Sequence, residues 1–91
     1  MRTLPKENTM IKIGIVDDHA IVRSGLRQFL SEHVDLRVEG EASNGREAID
    51  LVRNHEIDVL LMDLSMPGQS GLDALAMLRA KAPDMGILIL S

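Results

Sequence analysis

Four short apolar runs, separated by segments whose apolar residues recur at helical spacing, set the tightest limit on what this chain can become. The runs are Ile11–Val16, Leu36–Ala42, Val59–Met62 and residues 86–90. Val59–Met62 is too short for a helix and Ile11–Val16 is rich in β-branched residues, so both read as strands buried on two faces. Leu36, Val38, Gly40 and Ala42 alternate more loosely, as an edge strand does. Residues 20–30 place Val22, Leu26, Phe29 and Leu30 on one helical face. Asn44 with Glu47 three residues on has capping-box spacing, and predicts a helix that buries Ala48, Leu51 and Val52 and ends near Asn54. A third helix over Gly71–Lys81 would turn Leu75 and Leu78 inward, with Ser70 as its cap and Pro83 after its end. The order βαβαβαβ with short connections requires right-handed crossovers and a parallel sheet.

Composition narrows the function. With 91 residues the chain supports one domain with one core, and its single aromatic residue, Phe29, makes that core aliphatic. A net charge of -4 without any basic run argues against direct nucleic-acid binding. There is no cysteine, so disulfides and thiolate metal sites are excluded. No apolar run approaches the roughly 20 residues of a membrane span, and residues 1–9 are polar without the apolar core of a signal peptide. Residues 1–9 are therefore expected to be a disordered tail, residues 10–91 the domain, and the location cytoplasmic.

The chemistry lies in where the acids stand. Asp17 and Asp18 directly follow the first apolar run, and Asp63 directly follows the third. In open α/β sheets the site forms beyond the carboxyl ends of the strands. If those strands are neighbours, three carboxylates meet at one edge and repel one another unless a hard cation neutralises them. Mg²⁺ suits such a place, held by one or two carboxylates and waters beside a phosphate. Taken singly, Asp18 is placed to cap the first helix and Asp63 could be an ordinary loop residue; together the three point to a metal-dependent phosphate site. Beyond Asp63, Pro67 forces Met66 out of the helical region, and Pro67 and Gly68 shape a turn that would aim the Ser65 carbonyl toward the metal. His19 either approaches the metal or begins the first helix at the site rim, the second reading being preferred. His33 and His55 read as exposed loop residues.

With these residues in view, the chain resembles a response-regulator receiver domain of bacterial two-component signalling, over residues 10–91. The motifs that carry the resemblance are Ile15-Val16-Asp17-Asp18-His19, Asp63-Leu64-Ser65-Met66-Pro67-Gly68 with Gly71 following, and Ile87-Leu88-Ile89-Leu90-Ser91. The Asp-Asp-His opening and Asn44-Gly45-Arg46-Glu47-Ala48 are most similar to the NarL/FixJ type, which usually carries a C-terminal LuxR-type helix-turn-helix. The resemblance implies a flavodoxin-like, CheY-like doubly wound parallel sheet. It implies that Asp63 accepts a phosphoryl group from the phosphohistidine of a sensor histidine kinase, and that Asp18, Asp63 and the Ser65 carbonyl bind Mg²⁺, with Asp17 acting through a water. It makes Ser91 the switch hydroxyl, and the chain a regulator of transcription rather than an enzyme.

One departure qualifies the match. A full receiver has a fifth strand ending in a lysine that pairs with the phosphoryl group, whereas the lysines here are Lys6, Lys12 and Lys81, none at a suitable strand end. Four of five strands are therefore expected, with DNA contacted only through an output domain outside this sequence. In the order 2-1-3-4-5 the run 86–90 then becomes a bare apolar edge, which predicts a homodimer or strand-exchanged oligomer. Two other classes remain open. A Mg²⁺-dependent phosphatase of the haloacid-dehalogenase type would want a second aspartate two residues after its nucleophile, and counted from Asp17 that position is His19. A pseudo-receiver that binds partners without phosphorylation is kept open by the missing lysine.

Overall fold

Residues 10–64 and 71–90 are described by the computed structural model of the chain. The expected tail over residues 1–9 and the Ser70 cap lie outside them. In chain order the elements are β1 (Ile11–Val16), α1 (Ala20–Ser31), β2 (Leu36–Ala42), α2 (Gly45–Asn54), β3 (Val59–Met62), α3 (Gly71–Lys81) and β4 (Gly86–Ile89). The strands form one parallel sheet in the order β2-β1-β3-β4. This is the doubly wound arrangement expected, with β2 at an edge and β1 beside β3. Past the end of β4, the Leu90 N–H still donates to the Met62 carbonyl at 2.9 Å.

Alternation along the strands divides the core in two. Ile13, Ile15 and Leu61 face α1 and pack with its Leu30 and Leu26. Val16, Leu60 and Met62 face the other way and pack with Ala48 and Leu51 of α2 and Ala74 and Leu78 of α3. Two glycines let α2 settle onto the sheet. Gly14 and Gly40 are register partners, and a Cβ at Gly40 would stand 2.5 Å from Leu51 Cδ1. The register slips by one residue just before this pair, because Ile13 pairs with Val38 and Gly14 with Gly40.

Several local expectations are corrected. Periodicity puts Val22 and Phe29 on the buried face of α1, yet they are 41% and 60% exposed, while Leu30 is buried. The apolar packing of the helix on the sheet is through Leu26 and Leu30, and Phe29 instead sets its ring edge-on to His33, at 5.4 Å between centroids. In α3 the buried residues are Ala74 and Leu78, with Leu75 half-buried. The α2 cap forms as expected, Asn44 Oδ1 accepting the Glu47 N–H at 2.8 Å. The return bond shifts by one residue: Glu47 Oε1 accepts the N–H and hydroxyl of Ser43, not the N–H of Asn44.

Candidate metal and phosphoryl site

The strand register builds the site. Val16 and Met62 are partners in the β1–β3 ladder, so Asp17 and Asp63 come next, side by side. Backbone bonds hold them there: the Asp63 N–H donates to the Val16 carbonyl and the Asp17 N–H to the Ala42 carbonyl, both at 3.0 Å. Both residues are buried, Asp17 at 4% and Asp63 at 7% exposure. Asp18, on the turn into α1, keeps a side chain 22% exposed. Asp17, Asp18, Asp63 and His19 each offer a ligand atom, and these atoms lie within 4.8 Å of one another. The three carboxylates named from the sequence are thus brought together at one sheet edge.

Two details differ from expectation. Asp18 does not cap α1. The N-cap position belongs to His19, which makes no side-chain capping bond, and it is Asp17 Oδ1 that accepts the His19 N–H at 2.8 Å. His19 also reaches further into the site than a rim residue: its Nδ1 lies 3.0 Å from both Asp17 Oδ1 and Asp18 Oδ1, though the side chain is 63% exposed. The hydrogen bond to Asp17, and then the charge of Asp18, raise this imidazole above its ordinary pKa. The ring N–H bonds Asp17, and the buried Asp18 Oδ1 meets the same nitrogen as an ion pair without a hydrogen bond of its own.

Sequence reasoning missed Arg23. Its guanidinium donates to the Asp17 carbonyl at 2.6 Å and to Glu41 Oε1 at 3.0 Å, and Arg27 binds the other oxygen of the same carboxylate. No spacing rule joins Arg23 in a helix to Glu41 in a strand; only the sheet order brings them together. Ser65, Met66, Pro67, Gly68 and Ser91 lie outside the described residues. The described lysines stand apart from the cluster. Lys12 pairs with Glu56 at 2.7 Å from the opening of β1, and Lys81 is exposed at the end of α3.

The fold is thus a doubly wound parallel α/β domain with an acidic cluster, able to hold a metal ion, beyond its two central strands. More narrowly, the chain belongs to the response regulator receiver domain family, whose pattern it matches over residues 13–91. It is 42% identical over 82 residues to the response regulator UvrY of Escherichia coli, covering 90% of this chain and 38% of UvrY. It is 45% identical over 85 residues to the nitrate/nitrite response regulator protein NarP of the same organism, covering 93% of this chain and 40% of NarP. The non-phosphorylated receiver domain of RcsB from Escherichia coli superposes with a TM-score of 0.84 at 29% identity, covering 90% of this chain and 65% of that one. The chain thus spans about two fifths of the length of these curated relatives. These relatives place it with the receivers of the NarL/FixJ, LuxR-type regulators.

Receivers bind Mg²⁺ at an acidic pocket, and the residues here fit that ion. The donors are hard carboxylate oxygens, and Asp18 Oδ1 is a buried acceptor without a hydrogen-bond donor of its own.

Proposed function

We propose that this receiver is phosphorylated on Asp63 by a sensor histidine kinase and passes that signal to a DNA-binding output domain that regulates transcription. The observation that carries this reading is the convergence of Asp17, Asp18 and Asp63, with Asp18 Oδ1 buried and unpartnered by any hydrogen bond. Asp18, Asp63 and the Ser65 carbonyl would hold Mg²⁺, with Asp17 holding it through a water. When bound, the ion supplies the positive charge that lets a carboxylate approach an anionic phosphoryl group. An Asp63 carboxylate oxygen attacks phosphorus in line as the phosphorus–nitrogen bond to the kinase histidine breaks. The backbone bond from Asp63 to Val16 holds the strand end from which that carboxylate would act. The Ser91 hydroxyl would bond a phosphoryl oxygen after transfer, and Met66, Pro67 and Gly68 would shape the loop that presents Ser65. The receiver spans residues 10–91, works in the cytoplasm, and serves a longer regulator with a C-terminal helix-turn-helix. In this role it assists its own phosphorylation and dephosphorylation and turns over no other substrate.

Titration with Mg²⁺ tests the reading. The chain has neither Trp nor Tyr, so calorimetry or amide NMR shifts would report binding. Asp18→Ala is expected to weaken Mg²⁺ by at least the roughly 10- to 100-fold typical of losing even an indirect partner of a metal site. Equal affinities for the wild type and Asp18→Ala would rule the site out.

A further inference from the structure

We infer that Arg23 is a positioning residue for the acidic site: it holds the Asp17–Asp18 peptide plane, and the edge strand β2 holds Arg23 through Glu41. The inference rests on the proposed Mg²⁺ site and assigns it a support outside its own ligands.

The geometry is a relay of two bonds. The Arg23 guanidinium donates to the Asp17 carbonyl at 2.6 Å and, through Nε, to Glu41 Oε1 at 3.0 Å. The Asp17 carbonyl belongs to the peptide unit whose nitrogen is that of Asp18. Holding that oxygen therefore sets the rotation of the plane linking the two acids, and with it the direction in which Asp18 leaves the backbone. The Asp17 side chain is tied forward to His19, and its N–H is tied back to Ala42, the strand neighbour of Glu41. Asp17 is thus anchored twice to β2, directly through its N–H and through Arg23 by its carbonyl.

Position and charge both suit Arg23 to this task. Its side chain is 19% exposed and that of Glu41 28%, so both bonds are partly shielded from water. The bonds from Arg27, and then those from Arg23, hold the Glu41 carboxyl below its usual pKa, which keeps it charged as an anchor. A guanidinium presents several donors in a fixed plane and binds a carboxylate and a carbonyl at once. A lysine ammonium is a point charge on a flexible stem and loses that fixed fork. Arg27 provides an internal comparison, because it binds the same Glu41 carboxylate and has no bond to Asp17.

The test is Mg²⁺ affinity in the full chain, by calorimetry, with folding followed by circular dichroism. Arg23→Ala is expected to weaken Mg²⁺ about tenfold or more, the range seen when residues that orient metal ligands are lost. Arg23→Lys should recover little of it. Arg27→Ala should cost clearly less affinity than Arg23→Ala, since Arg27 pairs with Glu41 but makes no bond to the Asp17 carbonyl. If Arg23→Ala does not fold, Glu41→Gln decides: it keeps an acceptor oxygen and should weaken Mg²⁺ while leaving the fold intact. Arg23→Ala or, in that case, Glu41→Gln binding Mg²⁺ as wild type does would overturn the inference. So would Arg27→Ala losing as much affinity as Arg23→Ala, which would make the effect one of general stability. Wild type that binds Mg²⁺ and loses it in Asp18→Ala keeps the site proposal standing even if Arg23 proves irrelevant. Wild type that binds no Mg²⁺ removes both.

Discussion

Strands β3 and β4 are neighbours, pair in register and carry the same kind of residue, yet they live in different surroundings. Leu60 and Met62 of β3 are wholly buried and Leu61 is 8% exposed, whereas Leu88, Ile89 and Leu90 in and after β4 are 57%, 42% and 42% exposed. β3 is paired on both sides and covered on both faces. β4 is paired on one side, and among the described residues no helix covers the face that carries Leu88. Along the other face of β4, Ile87 and Ile89 line a groove of about 420 Å³ with Leu72, Leu75 and Arg79 of α3. An apolar β sequence thus states that a strand forms, but its neighbours decide how much it contributes. The expected self-association of the chain rests on this exposed surface.

Paired substitutions probe the difference most strongly. Leu60→Ala leaves a cavity under α2 and α3 and should cost about 2–5 kcal/mol. Leu88→Ala, made on the strand one step over, should cost under about 1 kcal/mol, because that side chain has little packing to lose. Chemical denaturation of the two variants measures both. Equal losses would mean that the surface of β4 is covered in solution.

A smaller effect separates the starts of two helices. α2 begins on the Asn44 side chain, while α1 begins at His19 without any side-chain cap. Asn44→Ala should therefore destabilise the chain by about 1 kcal/mol. Loss of less than a few tenths would show that the Ser43–Glu47 bonds alone secure that helix start.

The smallest expected effect is a pH dependence at the same turn. The backbone N–H of Ser43, then its hydroxyl, hold the Glu47 carboxyl below its ordinary value of 4.5. A depressed folded pKa gives stability that is complete above the unfolded value and is lost as the pH falls through the folded one. Wild type should therefore lose stability below pH 4.5 more steeply than Glu47→Gln, measured by thermal unfolding across that range. Parallel curves would remove Glu47 from the account.

The legible parts of this molecule are those that local chemistry decides. Strands β1, β2 and β3 and the Asn44 cap follow from periodicity and from one side chain, and the acids at strand ends foretell a shared edge once β1 and β3 are neighbours. What stayed hidden depended on tertiary context. α3 carries apolar residues around much of its circumference, so its pattern does not distinguish buried Ala74 from exposed Leu72 and Met77. Phe29 looks like a core residue, yet its neighbour Leu30 takes the buried position and Phe29 packs on His33. The bond from His19 to Asp17, in place of an Asp18 cap, depends on the backbone path after β1, and the Arg23–Glu41 link on which strand lies at the edge.

The decisive question is whether Asp63, at the buried edge between β1 and β3, accepts a phosphoryl group. Incubation with a small phosphodonor and Mg²⁺, borohydride trapping and peptide mass spectrometry test it most directly. Modification is expected at Asp63 alone, abolished in Asp63→Asn. A label on Asp17 or Asp18 with Asp63 unmodified would contradict it.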